Sequence, residues 1–357
     1  MTPAVQDSNT KPLVGMVARH WVDDARKNWQ GTGPRPLNAF VWYPAAAGSK
    51  LSSAALGPPT EMSKLFTPVV LASDAPLSTE KKKYPLVVLS HGSTGVSLEL
   101  MWFAHNLASH GYIVAAVEHH GNTGAEPQLM PQGFYFMWER ARDLSVLIDK
   151  VEADSTFGPH IDHDRIAAAG HSAGGETVIA LAGGKFNTQA LRDFCASGKK
   201  DPVCGPEEQI RQTQETIEKL RATDAVARES LSHEHDSFRD KRIKAVFAMA
   251  PAVGVAFTAD DVKDIHIPVY IVVGQGDDVT PPSTNAAHYA EIINGAKLTV
   301  LPGNVGHFDF GSLCSPEGIA KPDMLICHSG EGVDRAAVHQ QTNDMALPFF
   351  AKALNIK

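Results

Sequence analysis

The sequence contains no hydrophobic run long enough to cross a bilayer. Its most apolar stretch, Ala245 to Ala259, is shorter than the ~20 residues a membrane helix needs and is interrupted by Pro251. The first eleven residues, Met1 to Lys11, are polar and lack the apolar core of a secretory signal. Positive charge is not in excess either. Lys+Arg number 32 against 40 Asp+Glu, a formal net charge of −8, and nucleic acid as main partner would require clustered cations. No internal repeat is visible. With 43% hydrophobic and 20% charged residues the chain has the composition of a folded globular protein. Its 357 residues would allow two domains at ~150 residues each, although α/β enzymes of this length often run as one.

Cysteine is scarce: Cys195 and Cys204 lie close together, and so do Cys314 and Cys327. Neither pair has the CxxC spacing of a structural zinc site, so no metal is expected. Each pair is flanked by Gly, Pro and charged residues, which mark loops. Free cysteines usually occupy buried apolar elements, so the expected state is two local disulfides, Cys195–Cys204 and Cys314–Cys327, among three possible connectivities. Disulfides persist in oxidising compartments. A periplasmic or secreted location is therefore expected, with an export signal already removed.

What the sequence does contain is alternation. Leu37 to Tyr43 reads as a strand, and 51–80 as irregular chain. Pro85-Leu-Val-Val-Leu-Ser90 is an unbroken apolar run, as suits a parallel strand covered on both faces. A helix over 98–109 stopped by Gly111, a strand over 112–117, an amphipathic helix over 134–152, a strand over 165–170 and a helix over 173–182 follow. Strands over 245–250, 269–273 and 298–301 come next, with helices over 285–293 and 333–354. This pattern implies βαβ crossovers: an α/β chain with one mostly parallel central sheet, helices on both faces, and a single domain over 1–357. Between Lys185 and Lys244 the rhythm breaks. A helix over 207–231 carries only a thin apolar stripe, Ile210, Ile217 and Leu220, which cannot form its own core. Residues 185–244 are expected to be a helical, lid-like insertion over the site.

The chemistry concentrates at Gly170-His171-Ser172-Ala173-Gly174, where a predicted strand meets a predicted helix. A sharp turn there holds Ser172 in a strained conformation with its hydroxyl exposed, and the flanking glycines avoid a clash. A serine hydroxyl needs a base, and the base needs an orienting acid. In such a sheet these gather at the carboxyl ends of the strands. Gln275-Gly276-Asp277-Asp278 follows one late strand and Asn304-Val305-Gly306-His307 the next, giving the order Ser172…Asp277…His307, with Asp278 as the alternative acid. Among the 16 histidines, His171 fills the variable position of the turn and is read as pointing away. His119 and His120 read as loop hydrogen bonders, and His160 and His163 lie at the wrong sheet edge. His233 and His235 read as a solvated face. Donors to an oxyanion are expected from the N–H of Ala173 and from the loop Ser90-His91-Gly92-Ser93-Thr94-Gly95, where Ser93 is assigned and Thr94 is equally available.

With these pieces the chain resembles the serine hydrolases of the α/β-hydrolase family. The Ser-His-Gly loop, the Gly-His-Ser-Ala-Gly-Gly turn, the Gly-Gln-Gly-Asp-Asp-Val-Thr-Pro loop and Gly306-His307 carry the resemblance. The Arg35-Pro-Leu…Val-Trp-Tyr-Pro stretch resembles the branch of dienelactone-hydrolase-like proteins and platelet-activating-factor acetylhydrolases. True dienelactone hydrolases use a Cys nucleophile, from which Ser172 departs. The two cysteine pairs and the size are further similar to the bacterial oxidised polyvinyl alcohol hydrolases. That likeness implies a periplasmic enzyme cleaving β-diketones, and short acyl esters, on small-molecule or polymer substrates without a cofactor. A short-chain carboxylesterase or acetylhydrolase is the near alternative. A catalytically inactive binding protein of the same fold is the remote one.

Overall fold

The computed structural model describes residues 12–55 and 63–356; the polar N-terminus and part of the irregular 51–80 segment lie outside them. Among the described residues ten strands form one sheet. They are β1 (Val14–Lys27), β2 (Pro34–Pro44), β3 (Ser52–Ala54), β4 (Val69–Ser73), β5 (Tyr84–Ser90), β6 (Ile113–Val117), β7 (Ile161–His171), β8 (Ile243–Met249), β9 (Val269–Gly274) and β10 (Lys297–Leu301). Their spatial order is β10-β9-β8-β7-β5-β6-β2-β1-β4-β3. From β6 to β10 every neighbour pairs parallel, while β2 joins β6 and β1 joins β2 antiparallel.

The helices are α1 (Met101–Ser109), α2 (Pro131–Tyr135), α3 (Trp138–Ala153), α4 (Ala173–Ala182), α5 (Thr188–Ala196), α6 (Glu207–Thr223), α7 (Ala225–Leu231), α8 (Ala259–Val262), α9 (Ala286–Ile292), α10 (Pro316–Ile319) and α11 (Arg335–Ala353). Helices α3 and α4 pack together against β5, β6, β7 and β8, and α1 packs with α11 against the sheet. The central strands are sandwiched, which is why β5 is buried at all seven positions and is apolar almost throughout.

The chain runs from β5 to β6 on one side, then crosses back to β7 on the other side of β5. This reversal opens a crevice at the carboxyl ends of β5 and β7. Ser90 pairs with Gly170 in the ladder, so the loops that follow each strand emerge side by side.

Three expectations are corrected. The 51–80 region holds β3 and β4, and the long β1 precedes them. The helix expected over 134–152 is two helices, because Phe136 leaves helical geometry and buries its ring against Trp29 and Trp138. The helix expected over 207–231 breaks at Asp224, whose side chain accepts from the N–H groups of Val226 and Ala227 and starts a new helix.

Candidate active site

Between Ile166 and Ala182 every residue is buried except Ser172. Ser172 sits at φ 58° and ψ −122° between β7 and α4. A non-glycine residue is seldom found there. The glycines around it are steric necessities. A β-carbon on Gly170 would overlap the carbonyl of Gly174, and one on Gly174 would overlap the carbonyl of Ser90. The turn is held by Ser172 N–H donating to Met249 O at 3.0 Å and by Ala252 N–H donating to Ser172 O at 3.0 Å. Among the described residues the Ser172 hydroxyl has no hydrogen-bond partner, and it faces the cleft.

His307 and Asp277 stand after β10 and β9. His307 Nδ1 lies 2.9 Å from Asp277 Oδ2, and both residues are buried. The second oxygen, Oδ1, accepts from the N–H of Thr280 at 2.7 Å and of Val279 at 3.1 Å. Thr280 Oγ1 donates to Asp277 Oδ2 at 2.9 Å and stands 3.0 Å from His307 Nδ1. These donors fix the carboxylate in place, and it leaves the Nε2 side of the His307 ring for the cleft. The alternative acid, Asp278, is exposed. Thr280 stands in the quoted loop, yet sequence reasoning gave it no role.

The loop after β5 turns tightly, with Gly95 N–H donating to Gly92 O at 3.2 Å and Thr94 at φ 60°. Thr94 N–H donates to Asn122 Oδ1 at 2.7 Å and so is occupied. The N–H groups of Ser93 and Ala173 have no partner among the described residues. Asn122, a residue that sequence reasoning missed, also accepts from Ser93 Oγ at 3.1 Å and donates to Gly133 O at 3.0 Å.

Beneath this loop lies a buried polar network. Ser90 Oγ is 2.8 Å from His119 Nε2, and His119 Nδ1 is 3.0 Å from Asp143 Oδ2. Arg35 Nε and Arg26 Nη2 each donate to Asp143 Oδ1 at 2.7 Å. Arg140 donates to the carbonyl of His91 and, at 3.0 Å, to Thr177 Oγ1 on α4. The network ties β5 to the helix that begins at Ser172. Burial, and then Arg140, push His119 down to about 3, so its ring is neutral. His119, in the loop just past β6, is thus a buried hydrogen bonder; His120 stacks on Trp29 and contacts Glu126 at 2.7 Å. His171 does not point away. Its Nε2 donates to His307 O at 3.0 Å and its ring packs 4.7 Å from that of His307. Burial, and then His307, push it down to about 3. His233 pairs with Asp236 at 2.7 Å on the surface.

Ser172 and His307 line one cleft of about 180 Å³, together with the Gly92–Gly95 loop and Glu99. Phe66 and Ile326 form an apolar wall. Cys314 is bonded to Cys327, and Cys195 to Cys204. The first bridge ties the wall segment, which also pairs Phe66 with Cys314. None of the residues lining the cleft comes from 185–244. Leu220, Val226 and Ala227 dock instead on Trp29, Phe136 and Trp138, and Trp138 Nε1 donates to Ser230 O at 3.0 Å.

Residues 59–132 match the family model described as platelet-activating factor acetylhydrolase, isoform II. The chain is 31% identical over 105 residues to cutinase est1 of Thermobifida alba, covering 29% of this chain and 32% of the relative. It is 34% identical over 130 residues to dipeptidyl-peptidase 5 of Porphyromonas gingivalis, covering 35% of this chain and 18% of the relative. The match thus spans about a third of the length of the curated cutinases and less of the peptidase. A ferulic acid esterase from Streptomyces cinnamoneus superposes with a TM-score of 0.65 at 20% identity, over 99% of this chain and 93% of the other. In fold the chain is an α/β-hydrolase, similar to esterases that share this architecture.

Proposed function

We propose that the protein is a serine hydrolase that works through an acyl-enzyme, cleaving β-diketones by C–C hydrolysis and short acyl esters by the same steps. The observation that carries the reading is the His307–Asp277 hydrogen bond opening onto the cleft where the strained, half-buried Ser172 stands. Ser172 Oγ attacks a substrate carbonyl while His307 takes its proton, and Asp277 holds the ring and stabilises the imidazolium. The oxyanion takes hydrogen bonds from the N–H groups of Ser93 and Ala173. Collapse expels an alkoxide or an enolate, which His307 protonates, and water then releases the acyl group by the reverse use of the same base. The cutinase and ferulic acid esterase likenesses support ester hydrolysis; the cysteine pairs and motif set support the diketone branch. The same likenesses favour a second reading, a plain carboxylesterase or acetylhydrolase. Two disulfides support an oxidising compartment outside the cytoplasm.

Turnover of 4-nitrophenyl acetate and of a 1,3-diketone by purified Ser172→Ala, His307→Ala, Asp277→Asn and Asp278→Asn tests this. Ser172→Ala and His307→Ala should each lose at least about 10³-fold in kcat, because nucleophile and base act as a unit. Asp277→Asn should lose less, and Asp278→Asn little. Near-normal turnover by folded Ser172→Ala sinks the assignment.

A further inference from the structure

Glu99 opens onto the same cleft as Ser172 and has no part in the steps above. It stands on the 3₁₀ turn Ser97–Leu100, directly after the Gly92–Gly95 loop. Ser312 Oγ donates to its carbonyl oxygen at 3.0 Å, which fixes the turn against the far wall. A β-carbon on Gly95 would overlap the Glu99 carboxyl group, whose Cδ is 3.0 Å from that position. Glycine at 95 therefore leaves the acid its place on the cleft side of the loop. No arginine, lysine or hydroxyl among the described residues bonds the carboxyl. Its protein neighbours are the backbone N–H of Val96 and the negative charge of Glu118. Glu118 is itself held by the Ser97 hydroxyl and, at 2.5 Å, by Thr123 Oγ1. Burial, and then Glu118, push the Glu99 carboxyl up to about 7. A carboxylic acid that keeps its proton near neutrality can donate a hydrogen bond, whereas a carboxylate can only accept.

We propose that the Glu99 carboxyl donates a hydrogen bond to a second substrate oxygen, the one on the leaving side of the scissile bond, and so selects 1,3-dicarbonyl substrates over plain esters. This rests on the reading of Ser172 as nucleophile toward β-diketones. One carbonyl oxygen occupies the Ser93–Ala173 donor pair, and the other lies further along the same loop, beyond Gly95, against Glu99. When the tetrahedral adduct collapses, the C–C bond breaks and its electron pair moves into the enolate of the second carbonyl. Glu99 keeps its proton throughout, and its hydrogen bond strengthens as that oxygen gains charge. The proton that leaves with the product is the one His307 took from Ser172, so the acyl-enzyme is left with a neutral base for water.

The test compares kcat/KM for 1-phenyl-1,3-butanedione with that for 4-nitrophenyl acetate in the wild-type protein, Glu99→Leu and Glu99→Gln. Losing a hydrogen bond to a charged acceptor should lower the diketone-to-acetate ratio about ten- to hundred-fold in Glu99→Leu. Glu99→Gln, which retains an N–H donor, should stay within a few-fold of wild type. An unchanged ratio in Glu99→Leu, or a Gln variant as impaired as the Leu variant, overturns the proposal alone. Wild-type protein that hydrolyses the acetate through Ser172 and leaves the diketone intact overturns the substrate reading and the proposal with it.

Discussion

The side-chain amide of Asn122 takes Thr94 N–H and the Ser93 hydroxyl on its oxygen and gives its own N–H to Gly133 O. By occupying Thr94 it leaves Ser93 as the loop N–H that can turn to an oxyanion. Asn122→Ala should therefore cost about 1–3 kcal/mol in urea unfolding, the penalty for stranding buried polar groups. It should also lower kcat for aryl acetates more than it raises KM, because an oxyanion contact tightens in the transition state. A variant with normal kcat would detach Asn122 from the reaction. Ser172, Asp277 and His307 were legible in the sequence because local rules mark them: two glycines forced by sterics, and an acid and a histidine just past successive strands. Thr280 stands only three residues past Asp277 in the same loop; Asn122 and the buried Ser90–His119–Asp143 contacts were not legible, since each exists only once strands distant in the chain lie side by side. His171 was misread for the same reason, as its partner is the carbonyl of a residue 136 positions away.

At the level of elements, the buried parallel strands and the helices after them were readable because continuous apolar runs and 3.6-residue periodicity leave few alternatives. Strand β1 and the short β4 were harder. Strand β1 is only partly covered, and its sequence mixes Arg19, Asp23 and Asp24 with apolar residues without clean alternation. The insertion shows the limit of composition. Its thin stripe does dock, but on aromatic residues contributed by the β1–β2 connection and by α2 and α3, which no local pattern announces. The wall of the cleft comes from the loop bridged by Cys314 and Cys327 instead. The two disulfides should thus differ in effect. Cys314→Ser/Cys327→Ser should lose up to about 3 kcal/mol of stability and change KM for long acyl chains relative to acetate, since Phe66 and Ile326 lose their tether. Cys195→Ser/Cys204→Ser should lose a similar stability and leave that preference near wild type. Equal shifts in acyl preference from both pairs would mean that the insertion reaches the substrate after all. Urea unfolding and a series of 4-nitrophenyl esters from acetate to decanoate would separate these outcomes.

For the whole molecule, the buried titratable groups set how stability follows pH. Burial pushes His119 and His171 down to about 3, His339 to about 4, and His91 well below its usual value. Unfolding returns each to 6.5, so below pH 6.5 the unfolded chain binds protons that the folded chain refuses, and acid favours unfolding. Three glutamates act in the opposite sense. Burial raises Glu99 to about 7, Glu176 to about 8, and Glu118 above its ordinary value. Between pH 4.5 and those values the folded chain holds protons that the unfolded chain has released, so acid there favours folding. Each proton is worth about 1.4 kcal/mol per pH unit. From 6.5 down to 4.5 four histidines stand against Glu99 and Glu176, with Glu118 acting in the same sense as those two, so the slope is shallower than the histidines alone would give. Below 4.5 the glutamates are protonated in both states and only the histidines remain. Asp143 then joins them: against the pull of burial, Arg35 and Arg26 hold it well below the usual carboxylate range. Stability should therefore peak near pH 6.5, decline gently to 4.5 and fall steeply below it. Above 6.5 the histidines are neutral in both states, and the glutamates alone make stability drift down toward pH 8. Urea unfolding at half-unit steps from pH 3.5 to 8.5 reads this profile directly. Glu176→Gln should flatten the alkaline drift, because its amide has no proton to lose. A loss between pH 6.5 and 4.5 as steep as the one below 4.5 would mean that the three glutamates are ionised in the folded protein, and the cancellation would fail.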